Sequence, residues 1–324
     1  MLKKRQNIFR KYFLYHITNL KNEDTIARDI TIQMGKPLKE SLAELKGFHN
    51  LVRKLSEIAP EALQEKVIKE NQQGLLKYTR EPVGVAALFC PWNYPVLTCA
   101  NMLITSVLAG NSVVVKHSPF TPIIGKHFEE AFKFAGVENI VRELMIVHTN
   151  AVKLYKLPEV GFVGFTGSTE VGKSVQDQLV DLRFIDYTLE LGGNDSAYVA
   201  EDADVELAAK ETMFGAFHNA GQSCNGIGRI YVHKSIYDDF LNKAIKYALT
   251  YQPGDPLKEG TTLGPLTLPD LPEDMKQKVE DAAIQGGRIV LGGLPTTDSE
   301  GRGRFFEPTI IADAQNDMNV IVRM

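Results

Sequence analysis

Only three of the 324 residues are cysteine, an odd and sparse number that argues against a disulfide framework and suits a reducing compartment. No uninterrupted apolar stretch reaches the roughly 18–20 residues needed to span a bilayer, so no membrane association is expected. Neither sign of charge dominates. Lys and Arg number 36 against 40 Asp and Glu, for a net charge of −4, and no long basic run offers the electrostatic footprint of a nucleic-acid binder. Internal repeats and low-complexity tracts are absent. Glycine (26) and proline (15) are too few and too scattered for a collagen-like or disordered chain. What remains is a globular composition, 44% hydrophobic and 23% charged, with room for two domains.

Residues 1–22 carry six basic side chains (Lys3, Lys4, Arg5, Arg10, Lys11, Lys21) and no acidic one. Such a start suits either an amphipathic transit segment or a surface helix; the lack of Ser and Ala enrichment favours the helix. That helix is expected to continue through residues 25–35, with Asp24 as its N-cap. No signal-peptide pattern is read here. A cytoplasmic location is expected over a mitochondrial one.

From Val83 onward, short apolar runs alternate with helical patterns. Strands are expected at 83–89, 112–116, 143–147 and 160–165, and helices at 96–109, 124–135 and 168–179, punctuated by Gly110-Asn111, Pro119, Pro122 and Gly136. Continuous apolar runs of this length mark strands buried on both faces. The alternation implies an α/β fold with a doubly wound, mostly parallel, Rossmann-like sheet. Past the strand at 186–190, Gly192-Gly193 breaks the chain. A short strand at 197–199, a helix at 205–219 capped by Asp204, a strand at 229–233 and helices at 236–248 and 275–285 follow. These readings place a domain boundary near residue 192, between a doubly wound domain at 1–192 and a second α/β domain at 193–324. Residues 306–311 and 320–322 read as strands with no closing element, which suggests an incomplete second domain.

Three constellations bear on chemistry. In FTGSTEVG (165–172), an apolar strand runs through a glycine into a helix, where free N–H groups and the helix dipole favour a phosphate. The Gly-x4-Gly spacing is looser than the dinucleotide fingerprint and equally describes a plain strand-to-helix turn. ELGG (190–193) places Glu190 at a strand end, where on its own it is a surface carboxylate. GQSC (221–224) puts Cys224 in a glycine-flanked loop, so it is either a buried structural thiol or an accessible, reactive one. Cys90 and Cys99 lie in apolar runs and read as core. His148, His218 and His233 are dispersed without ligand spacing, and no metal is expected.

Taken in order, these residues resemble the NAD(P)-dependent aldehyde dehydrogenases. The resemblance rests on REPVGVAALFCPWNYP (80–95), VVVK (113–116), FTGSTEVG (165–172), ELGG (190–193) and GQSC (221–224). MGKP (34–37), GDP (254–256) and TLGP (262–265) add to it, so it covers nearly the whole chain. It implies the hydrolytic branch that does not acylate coenzyme A. Cys224 would be the nucleophile, Glu190 the general base for the deacylating water, and the Asn93 amide a donor to the oxyanion. It further implies a small-molecule aldehyde as partner and NAD or NADP as cofactor. Lys116 would sit at the adenosine ribose, Trp92 and Ser168 at the pyrophosphate, Gly167 and Gly172 at the turn, and Leu191 near the nicotinamide.

Two departures stand out. The family often carries a Glu three residues after the strand-end Lys, where it binds the ribose hydroxyls; here the position is Pro119, and NADP is expected to be accepted as well as NAD. The family also continues with a Glu-Glu-x-Phe-Gly-Pro segment and an oligomerisation strand that this sequence does not contain. The chain therefore reads as truncated at its C-terminus. Homo-oligomers are implied for full-length members and less readily for this chain. A non-catalytic fragment or structural descendant is the alternative to an active dehydrogenase.

Overall fold

The computed structural model describes residues 20–181 and 184–322, so the expectation for residues 1–19 lies outside the described residues. The chain divides into two compact units. One comprises the described residues up to Asp29 together with Leu42–Leu191; the other comprises Ile30–Ser41 and Gly192 onward.

The first unit contains helix α1 (Leu20–Met34) up to Asp29 and most of α2 (Leu38–Ala62). A two-stranded hairpin follows, β1 (Lys66–Asn71) and β2 (Gly74–Tyr78). Every residue of the hairpin is exposed, including Val67, Ile68, Leu75 and Leu76. Neither α2 nor the hairpin is marked by the alternation read from Val83 onward. Asp24 lies inside α1 and does not cap it, because the helix already runs from Leu20.

The sheet of this unit is built from β3 (Val85–Cys90), β4 (Ser112–His117), β5 (Val141–Glu143), β6 (Val160–Thr166) and β7 (Asp186–Glu190). The strands lie in the order β5-β4-β3-β6-β7, and every pair is parallel. Helices α3 (Leu97–Leu108), α4 (Ile124–Phe134), α5 (His148–Tyr155) and α6 (Thr169–Val180) make the crossovers. Ala87 and Phe89 of β3 pack with Val163 and Phe165 of β6 against Ala151, Tyr155, Val175 and Leu179 of α5 and α6. On the opposite face, a Cβ on Gly164 would fall 2.5 Å from Met102 Sδ of α3 and 2.8 Å from Leu88 Cδ2. Successive strand residues point to opposite faces, so both faces of β3 are covered and its run has no polar alternation.

The apolar run at 143–147 is not a strand. Pairing stops at Glu143, Leu144 N–H closes onto the Val115 carbonyl at 2.9 Å, and Met145 and Val147 are exposed. Position decided this, since β5 is an edge strand whose buried residue is Val141, opposite Val113.

In the second unit, β8 (Asp195–Val199) and β9 (Ile227–Val232) are parallel and joined through α7 (Val205–Phe217). Val199, Ala209 and Met213 pack with Phe240, Ala244 and Ala248 of α8 (Tyr237–Ala248). Helix α9 (Leu271–Ile284) contributes Val279 to a smaller cluster with Leu266 and Phe306. Four short strands pair antiparallel: β10 (Arg288–Leu291) with β13 (Ile310–Ala312), and β11 (Pro295–Thr296) with β12 (Phe305–Phe306). The strand expected at 306–311 is thus two strands, broken at Glu307–Thr309 around Pro308, which has no N–H to offer a ladder. Residues 320–322 belong to a helical turn, α10 (Asn319–Val322), where Asn319 N–H donates to Gln285 Oε1 at 2.9 Å.

Residues 30–41 were expected in the first domain and pack with the second unit. Thr267 Oγ1 donates to the Met34 carbonyl at 2.6 Å, and Leu38 N–H to the Pro256 carbonyl at 2.9 Å. Gly35 has φ +90°, and a Cβ there would fall 2.5 Å from the Pro265 carbonyl oxygen.

One buried carboxylate organises the loop after β3. Helix α3 has no cap of its own, and Glu44 of α2 supplies it: Oε1 accepts from Val96 N–H at 2.9 Å and Leu97 N–H at 3.0 Å. Glu44→Ala would leave a buried and a half-buried N–H unpaired, and we expect it to cost about 1–3 kcal/mol. A urea midpoint unchanged from the parent would contradict this role.

Candidate active site

Parallel strands bring their carboxyl ends to one edge, and most of the singled-out residues stand there. The strand order reverses between β3 and β6. A reversal of this kind opens the crevice in which such sheets bind ligands. Trp92 and Asn93 leave the end of β3, and Gly167 and Ser168 leave the end of β6, on the two sides of that reversal. Asn93 Oδ1 accepts from Tyr94 N–H at 3.0 Å, which turns the amide so that Nδ2 is its donor end.

Ser168 is the N-cap of α6. Its Oγ accepts from Val171 N–H at 3.3 Å, so its hydroxyl proton points elsewhere. Gly167 N–H donates to the Glu190 carbonyl at 3.0 Å, which ties the turn to the end of β7. Gly172 is not a turn residue; it sits buried in the first turns of α6. Its missing side chain makes room for Leu191, whose Cδ2 would be 2.4 Å from a Cβ there.

Lys116 lies beside Phe89 at the end of β4. It is buried, its Nζ donates to the His117 carbonyl at 3.1 Å, and burial pushes its ammonium below the usual lysine range. Glu190 closes β7 beside Thr166 and is exposed.

Cys224 is carried by the second unit, and its loop is shaped by local strain. Asp204 caps α7 through Leu207 N–H at 3.0 Å, and the helix ends at Phe217. Three successive residues then take positive φ: Asn219 at 54°, Ala220 at 54° and Gly221 at 74°. The two non-glycine residues each cost about 1–2 kcal/mol in that region, so surrounding bonds must hold them.

A buried amide network does so. Asn219 Nδ2 donates to the Gln222 carbonyl at 3.2 Å and Gln222 Nε2 to the Asn219 carbonyl at 3.1 Å. Gln222 Oε1 accepts from Thr267 N–H at 3.0 Å. Glu40 Oε2 accepts from Asn219 N–H at 2.9 Å. The chain next turns through Ser223 and Gly226, leaving Cys224 and Asn225 exposed. Gly193 passes so close that a Cβ would lie 2.5 Å from the Cys224 carbonyl oxygen, which explains a glycine there. Of the two readings open for Cys224, the exposed, accessible thiol is the one observed; Cys90 and Cys99 are buried.

Sequence reasoning assigned no role to Glu40, Asn219, Gln222 or Thr267. Gln222 stands inside the GQSC motif, but nothing local marks Glu40 or Thr267, which reach the loop across 179 and 45 residues of chain.

A doubly wound parallel unit whose strand order reverses between β3 and β6, in one chain with a unit presenting a loop thiol, defines a cysteine-bearing α/β protein of the doubly wound class. Comparison with known proteins narrows this. The family model described as "Aldehyde dehydrogenase family" matches residues 1–323, and the chain belongs to that family. A probable succinate-semialdehyde dehydrogenase [NADP(+)] of Sinorhizobium fredii is 30% identical over 309 residues, covering 94% of this chain and 62% of that protein. A peroxisomal aminoaldehyde dehydrogenase of Pisum sativum is 32% identical, covering 92% and 60%. The crystal structure of succinic semialdehyde dehydrogenase from Streptococcus pyogenes in complex with NADP+ superposes with a TM-score of 0.88 at 28% identity, covering 98% of this chain and 69% of that one. The chain thus spans about three fifths of the length of the curated relatives it matches.

Burial raises the Glu40 carboxyl from 4.5 to about 7, against the opposing pull of the Asn219 N–H, Lys36 and Lys39. A raised folded-state pKa means that its stabilising protonation is complete below pH 4.5 and is lost as pH rises through about 7. Glu40→Gln keeps an acceptor for Asn219 and removes the titration. We expect its stability to fall less than the parent's between pH 5 and 8, the curves diverging by up to about 3 kcal/mol. Parallel curves would refute the assignment.

Proposed function

We propose that this chain belongs to an enzyme that oxidises an aldehyde to a carboxylic acid with NAD or NADP as hydride acceptor. The observation that carries the reading is the exposed Cys224, held on a strained loop by the buried Asn219 and Gln222 in a chain of the aldehyde dehydrogenase family. The Cys224 thiolate adds to the aldehyde carbon and forms a thiohemiacetal. Asn93 Nδ2 and the Cys224 backbone N–H donate to its oxyanion, where charge develops. Loss of hydride from that carbon leaves a thioester on Cys224. Glu190 then takes a proton from water, whose hydroxide attacks the thioester, releasing the acid and the Cys224 thiolate.

The residues at the sheet edge suit a dinucleotide. The N-terminus of α6, with the Ser168 hydroxyl, favours a pyrophosphate, and the Lys116 ammonium offers donors to a ribose. Trp92, Gly167 and Leu191 would complete the lining. Bound there, the nicotinamide supplies the hydride acceptor.

Pro119 lies exposed just past β4 and carries no charge toward a 2′-phosphate. Acceptance of NADP follows, and NADP(+) is named for the Sinorhizobium fredii relative. The relatives' printed names range from succinate semialdehyde to aminoaldehydes, so the reading extends to aldehydes as a class.

Purified chain with an aldehyde panel is expected to form NAD(P)H, and Cys224→Ala to abolish it. Glu190→Gln should retain one rapid equivalent of NAD(P)H per chain and then stall, because the thioester forms and is not hydrolysed. A folded sample without Cys224-dependent turnover would favour the non-catalytic alternative. Separately, Pro119→Glu should weaken NADP about tenfold or more through like-charge repulsion while leaving NAD little changed. Equal effects on both cofactors would remove Pro119 from cofactor selection.

A further inference from the structure

Cys90, Cys99 and His117 come together in the first unit, although the outer two stand 27 positions apart in sequence. Cys90 ends β3, His117 ends β4, and the two occupy paired positions in the parallel register. Cys99 projects from the first turn of α3, and its thiol is within hydrogen-bonding reach of Cys90. One ligand-type atom from each residue lies within 4.8 Å of the others. All three are buried, at 5%, 0% and 4% exposure.

The imidazole is set for ligation. Its Nε2 lies 3.0 Å from the Pro95 carbonyl, which only accepts, so Nε2 carries the proton and Nδ1 the lone pair. Nδ1 is buried and has no hydrogen-bond partner. A backbone carbonyl that fixes the tautomer through the far nitrogen is the usual support of a metal-binding histidine. Phe128 stacks on the ring at 5.9 Å, further restricting it.

We infer that Cys90, Cys99 and His117 form a buried binding site for a thiophilic d10 cation, Cu+ or Zn2+. Two sulfurs and one imidazole nitrogen are a soft donor set. In a planar three-ligand site with ordinary metal–sulfur and metal–nitrogen bonds, the ligand atoms stand roughly 3.8–4.0 Å apart, so the observed cluster needs a closing of less than about 1 Å. Binding displaces the two thiol protons to solvent and makes no redox change. A bound ion would pin the ends of β3, α3 and β4 together at the loop that carries Trp92 and Asn93.

The test uses the full chain, reduced, in a Cys224→Ser background so that the exposed thiol contributes nothing. Zn2+ and, anaerobically, Cu+ are supplied in separate arms against a chromophoric chelator. One ion per chain in either arm is expected, with a rise in thermal midpoint on loading. Cys99→Ala is expected to weaken binding by about 100-fold or more and His117→Gln by at least about tenfold. X-ray absorption at the metal edge of the loaded, otherwise unmutated protein should show two sulfur neighbours and one nitrogen, which keeps the test valid if a core variant fails to fold. Failure of both ions to bind, binding indifferent to Cys99→Ala in a folded variant, or an oxygen-dominated shell would overturn the site.

Discussion

Strand β3 is hydrogen-bonded on both sides, to β4 and to β6, and its residues from Ala86 to Cys90 are buried. The rest of the first unit follows from that double coverage. A strand with no exposed face and no free edge must be apolar throughout, and the chain must leave it at its carboxyl end through a loop that cannot itself be buried without partners. Here that loop holds Pro91, Trp92, Asn93 and Tyr94, and Glu44 meets the unpaired N–H groups where the chain re-enters a helix. The sites for chemistry thus lie where regular hydrogen bonding stops.

The second unit meets the same problem differently. The segment after α7 turns through three residues of positive φ, and paired amides, a carboxylate and a backbone N–H from a distant loop hold it there. These bonds hold the backbone at Asn219 and Gln222 from both sides, which offsets the strain of the positive-φ turn ahead of Cys224. Glu40 and Glu44 stand one helical turn apart on α2, yet Glu40 serves the second unit and Glu44 the first.

Much of this was legible before the structure. Strands β3, β4, β6 and β9 and helices α3, α4, α6, α7 and α8 follow from apolar runs and their breaks, and the expected Asp204 cap accepts from Leu207 N–H three residues on. The run at 143–147 misled because apolar composition does not say whether a strand has a neighbour to pair with. Gly172 was read as a turn glycine, since the space it leaves for Leu191 depends on a residue 19 positions later. The hairpin β1–β2, exposed throughout, shows no buried alternation to read.

By itself the sequence determined what short-range physics controls: the α/β alternation, the Asp204 cap, the glycine-flanked position of Cys224 and the order of motifs that marks the aldehyde dehydrogenase family. Tertiary structure alone decided the long-range pairings. It placed residues 30–41 with the second unit, set Glu40, Gln222 and Thr267 around the Cys224 loop, and closed Cys90, Cys99 and His117 into one cluster. The physical reason is that a hydrogen bond or a ligand triangle between distant segments depends on strand register and helix placement, and neither leaves a local pattern in the residues it joins.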